Sequence, residues 1–158
     1  MPSNKTVICR YQHCQHETRE LLRDEAVRDG RSYYHKDCFA TREAMQKIVE
    51  FYVENFDKDP IFAQLKKICN ELVFKKGYSP EYVLFTLQYA KKKSYNLHSP
   101  IGMYYLAKDY KIREAWEQHK LEAAASKIVD YEFDIQNSYE KVEGYNVSKN
   151  EGFGRVIK

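Results

Sequence analysis

Beyond residue 38 the apolar positions recur at helical spacing. Phe39, Met45, Ile48, Val49, Tyr52, Val53 and Phe56 line one face of a segment running to about residue 56, which predicts a helix with Asp37 as its N-cap. Asp57-Lys58-Asp59-Pro60 breaks the pattern. Asp59-Pro60 then offers a cap and a first-turn proline for a second helix over 60–76. Its apolar face is Ile61, Phe62, Leu65, Ile68, Cys69, Leu72 and Val73, and it ends at Lys75-Lys76-Gly77. Ser79-Pro80-Glu81 opens a third helix with Val83, Leu84, Leu87 and Ala90 as its core, closing in Lys91-Lys92-Lys93. Ser99-Pro100 opens another with Ile101, Tyr104, Tyr105 and Leu106. Near Asp109 the chain re-enters a helix carrying Ile112, Ala115, Trp116 and Leu121. Short loops between such helices predict a compact bundle, with Trp116 as a core anchor and Cys69 as a small core residue.

The first 38 residues read differently. Cys9, Cys14 and Cys38 lie beside His13, His16 and His35, while the fourth cysteine, Cys69, stands apart. Between them, Glu25 to Tyr34 reads as a β-hairpin with Asp29-Gly30 at its turn, where both residues would take positive φ. Cys9-x4-Cys14 followed by His35-x2-Cys38 supplies two close pairs that can close one tetrahedron. Thiolate and imidazole are the ligands of structural Zn(II). The expectation is one structural zinc ion on Cys9, Cys14, His35 and Cys38, with His13 and His16 as alternatives to Cys14. The order of knuckle, hairpin and a ligand pair opening a helix is that of a treble-clef finger. The string Tyr34-His35-Lys36-Asp37-Cys38-Phe39 resembles the second half of a LIM-type finger, although the first knuckle has four intervening residues rather than two.

The chain has 158 residues and a formal net charge of +3, enough for one domain or a domain with a small module. The charge is uneven. Residues 60–120 carry 11 Lys and Arg against 5 Asp and Glu, whereas residues 1–59 carry 10 against 11. A basic middle segment suits nucleic acid or an acidic protein face. The candidate phosphate contacts are Lys66, Lys67, Lys75, Lys76, Lys91, Lys92, Lys93, Lys108, Lys111 and Arg113, with Tyr78, Tyr89 and Tyr95 as bases' stacking partners. The last segment, residues 126–158, holds Gly144, Gly152 and Gly154 and lacks a sustained period. It is expected to be an extended tail with Phe153, Val156 and Ile157 as partner-docking anchors.

The fold class expected is therefore mainly α. A zinc-binding finger would occupy 1–40, a helical bundle 41–125 and a poorly structured tail 126–158. With no signal-like apolar core or membrane-length apolar run, a cytoplasmic setting is the expectation. No phosphate loop, nucleophile elbow or triad is present, so the protein is expected to act by binding rather than catalysis. A nuclease is the main enzymatic alternative. HNH-type nucleases use a similar finger but need His and Asn on the hairpin and helix, and the helix offers only Asn55.

The stretch from Tyr78 to Trp116, with its Ser-Pro-Glu-Tyr-Val-Leu helix start, basic exit and terminal tryptophan, resembles the DnaD-type helical domain of replication-initiation proteins. A short zinc finger before a small helical body also resembles small proteins of phages infecting Gram-positive bacteria. Both likenesses imply a nucleic-acid-processing role in a host cytoplasm. The alternative is an adaptor or inhibitor that docks on a host or phage protein through its finger and tail.

Overall fold

The computed structural model describes the backbone of residues 5–140 and the side chains of residues 5–128. Its described part is mainly helical, with two small antiparallel ribbons at the N-terminal end. β1 (Thr6–Ile8) pairs with β2 (Glu20–Leu22), placing Val7 opposite Leu21. Those two side chains face inward while their neighbours are exposed. Strands of three residues hold too little alternation for the sequence pattern to reveal them.

The second ribbon is the expected hairpin. β3 (Val27–Asp29) pairs with β4 (Ser32–Tyr34), and Asp29 faces Ser32. The two loop residues are thus Gly30 and Arg31 rather than Asp29 and Gly30. Only Gly30 takes a positive φ, +59°. A glycine at the first central position is the mark of a type II′ turn, which also matches the twist of a two-stranded ribbon.

α1 (Lys36–Asn55) begins at the His35–Cys38 pair, with His35 at its N-cap and no side-chain cap. Asp37 lies one residue inside the helix and so cannot cap it. Its negative charge still suits the first turn. α2 (Phe62–Asn70) starts two residues later than the proline pattern suggested, with Ile61 at an uncapped N-cap. Asp59 does not cap it, and instead its N–H donates to the Asp57 carboxylate in the turn. α2 then widens into a π-helical turn, Glu71–Lys75, where the Lys76 N–H reaches back five residues to the Glu71 carbonyl. Gly77, at φ +75°, ends it.

α3 (Pro80–Lys92) is capped as expected, its Ser79 hydroxyl accepting from the Tyr82 N–H. Ser94 follows α3 at φ +57°. There Ser94 N–H bonds the Lys91 carbonyl and Tyr95 N–H bonds that of Ala90, a Schellman close. α4 (Gly102–Lys108) turns Met103 and Ala107 inward, while Ile101 and Tyr105 are exposed. α5 starts at Tyr110 and remains helical to Glu140, so the backbone is not extended between 126 and 140. Phe153, Val156 and Ile157 lie outside the described residues.

The main core gathers Ile48 and Tyr52 of α1, Leu65, Ile68 and Cys69 of α2, and Leu72. It also takes Val83, Leu87 and Ala90 of α3, then Met103, Ala107 and Ile112. Trp116 packs against it through Tyr82 and Phe85. The buried Tyr82 hydroxyl donates to the Ala107 carbonyl and ties α3 to α4. A smaller cluster of Cys9, Leu21, Tyr34 and Cys38 forms a second core beside the two ribbons. Residues up to Trp116 make one compact unit and a second begins at Glu117. The side chains of residues 117–128 are exposed. No described helix is long and apolar enough to cross a membrane.

Candidate metal centre

Each donor is delivered by the end of a short element. Cys9 follows β1, where its N–H bonds the Arg19 carbonyl and the next N–H, of Arg10, bonds Tyr33. Those two bonds pin the start of the knuckle to both ribbons. A turn closed by the Cys14 N–H on the Tyr11 carbonyl brings Cys14 round. His35 follows β4, and Cys38 stands three residues later in the first turn of α1, on the same side.

Cys9, Cys14, His35 and Cys38 place one donor atom each within 4.8 Å of all the others. The Cys14 Sγ is 3.5 Å from His35 Nδ1, and the Cys38 Sγ is 3.8 Å from it. Zinc–sulfur and zinc–nitrogen distances of about 2.3 and 2.0–2.1 Å, at tetrahedral angles, put such donors about 3.5 Å apart. The cluster can therefore hold a metal ion, and its spacing fits a tetrahedral one. All four cysteines are free thiols.

The two histidines left open by the sequence have other partners. His13 stacks on Phe74 of the π turn, ring centroids 4.5 Å apart. His16 stacks on His35 at 3.8 Å, and its Nε2 lies 2.8 Å from the Asp37 carboxylate. His16, Asp37 and Cys38 also place one donor atom each within 4.8 Å of one another, a second possible group beside the first. Sequence spacing could not have found the His16–Asp37 pair, because the two residues are twenty-one positions apart and meet only once the four donors converge.

The thiols do not share one ionisation behaviour. Burial raises Cys9, but N–H groups of His35 and Tyr11 and the thiols of Cys38 and Cys14 outweigh it, so Cys9 falls below its ordinary value. Cys38 is pushed far up, first by burial and then by Cys14 and Cys9. A divalent ion supplies the charge that lets all three deprotonate. Around Asp37, desolvation acts upward, yet the hydrogen bonds from His16 and the Cys38 N–H hold its carboxyl below the usual range. Cys69 is fully buried in the main core, and burial raises its thiol to about 12.

Asn55 is seventeen residues along α1 from Cys38, about 25 Å at helical rise, with its side chain on the Phe51 carbonyl. Glu17 and Glu20, the carboxylates nearest the cysteines in sequence that could serve a catalytic metal as base, are exposed and belong to neither group of possible metal donors among the described residues.

The candidate cations of the body fall in separate places. Lys91 donates to the Asn55 carbonyl at the end of α1, and Lys93 sits over the Tyr89 ring. Lys75 pairs with Glu71, and Lys111 sits over Tyr110. Lys108, Lys111 and Arg113 follow Ala107, which bonds Tyr82 near the start of α3. Lys91–Lys93 close its other end, about 15 Å away. Tyr78 packs on Tyr82 and Tyr89 on Phe85, whereas Tyr95 is exposed.

No family model, characterised protein or solved structure matches this chain. The likenesses to LIM-type fingers, DnaD-type domains and small phage proteins accordingly rest on local strings and on the order of segments alone.

Proposed function

We propose that Cys9, Cys14, His35 and Cys38 hold one structural Zn(II) in a treble-clef-like finger, and that the protein acts by binding nucleic acid. Three thiolates and one imidazole fill four positions, leaving none for a reacting water. When bound, the ion supplies folding energy to a finger whose own core is four residues. The observation that carries the nucleic-acid reading is the exposed charge of the helical body. Lys66, Lys76, Lys92 and Lys108 are exposed and, among the described residues, none is in an ion pair. Such lysines suit phosphate contact without base specificity.

Labelled single- and double-stranded DNA and RNA, titrated by anisotropy at low and physiological salt, test this reading. Micromolar or tighter binding with a steep salt slope supports it, and absence of binding at low salt removes it. A second reading, docking on a protein, draws on the exposed Ile101, Tyr105 and Tyr110. Under it, binding to an isolated partner would survive nuclease treatment and depend weakly on salt.

A further inference from the structure

A cleft of about 600 Å³ lies between the finger and helices α1 and α2, a size ordinary for ligand sites. An aromatic–cation pair lines it on either side. On the finger, Arg10 and Tyr11 directly follow the ligand Cys9. On α2, Phe62 and Lys66 stand four residues apart and so share a face. Phe62 is 47% exposed although it opens a core helix. Among the described residues, neither Arg10 nor Lys66 has an ion-pair partner. The lining's one carboxylate, Glu50, accepts from the Gln46 amide. Glu50 keeps its negative charge, but Arg10, Arg42 and Lys66 outnumber it, so the lining is net positive beside the exposed Phe62 ring.

We propose that this cleft takes one nucleotide of a single-stranded nucleic acid, with its phosphate on Arg10 and Lys66 and its base stacked on Phe62. This rests on the nucleic-acid reading above and gives it a location. Arginine's planar fork matches phosphate oxygens, and an exposed ring beside a cation is the recurring platform for single strands. An acidic peptide would use the cations but leave the paired aromatic faces without purpose.

The test uses the zinc-loaded full chain, a fluorescein-labelled ten-residue thymidine strand and an abasic strand of equal length. Phe62→Ala is expected to weaken the thymidine strand about tenfold, the scale of one stacked base, and to leave the abasic strand unchanged. Phe62→Tyr keeps a ring and should restore binding. Arg10→Gln and Lys66→Gln should each weaken both strands and lower the salt slope by about one. Since Phe62 is half exposed, an unchanged urea midpoint for Phe62→Ala will show that the variant folds. If the wild type binds but Phe62→Ala stays within about twofold, the cleft assignment is overturned while the nucleic-acid reading stands. If the wild type binds neither strand at low salt, both fall. Thymidine monophosphate binding as tightly as the strand overturns the single-strand assignment in favour of a free nucleotide.

Discussion

A metal held by the Cys9, Cys14, His35 and Cys38 cluster must exchange protons with the thiols it binds. An ordinary thiol titrates near pH 8.5, so a metal that takes thiolates must displace protons near neutrality. Cys38 lies far above that value and Cys9 below it. Two to three protons should therefore leave on binding between about pH 7 and 8, above the usual imidazole range. Each displaced proton changes the apparent binding free energy by about 1.4 kcal/mol per pH unit. The sign follows because the competing form is the protonated one, so affinity rises with pH. Apparent zinc affinity is expected to increase about 100- to 1000-fold per pH unit in that window. Competition against a chromophoric chelator at fixed salt gives the slope, and a pH indicator in weak buffer counts the protons. Cys14→Ser should lower the slope by about one. If His13 or His16 were the fourth ligand, the wild-type slope would lie between one and two and Cys14→Ser would leave it alone. A wild-type slope below two would refute the three-thiolate site.

Other expectations concern the body. Ser94 occupies a left-handed cap, so Ser94→Gly should raise stability by about 0.5–1 kcal/mol, whereas Gly77→Ala at φ +75° should lower it by about 1 kcal/mol; urea denaturation reads both. Leu65→Ala should cost about 2–5 kcal/mol, while Ile61→Ala, at a residue 70% exposed, should stay within about 0.5 kcal/mol. Equal costs would put Ile61 back in the core. The buried Cys69 thiol is raised to about 12, so its neutral form stabilises the fold fully below about pH 9, and that contribution is lost as pH climbs toward 12. Burial raises Tyr52 and Tyr82 in the same direction. The urea midpoint should therefore fall between pH 8 and 11, and less steeply in Cys69→Ala. An identical fall in both proteins would count against the Cys69 contribution.

Several features were legible along the chain because they depend on neighbours in sequence. Ser79-Pro80 carries its own cap and its fixed proline φ, and α3 starts there. The helical period of Ile48, Tyr52, Leu65, Ile68 and Leu87 marks residues that do lie in the core. His35-x2-Cys38 names two of the four clustered donors because three residues in a helical turn set them on one side. Cys69 reads as core from its face alone.

Other features depend on groups that only folding brings together. Cys14, His13 and His16 are equivalent as ligands in a linear reading. Two ribbons and a turn carry Cys14 to His35, and packing sends His13 to Phe74 and His16 to Asp37. The period of α2 counted Ile61 and Phe62 as core because it ignores where the neighbouring helices stop, and so it missed the cleft that Phe62 faces. The π turn and the exposed side of α4 escaped for a related reason: short helices show apolar residues on more than one face, and only tertiary packing chooses between them. The chain by itself thus determined the helical elements and the pool of metal ligands, through local backbone and side-chain preferences. Which donors meet, and which aromatic and cationic groups are left facing water, was decided by the tertiary structure, because contacts between distant residues have no period to read.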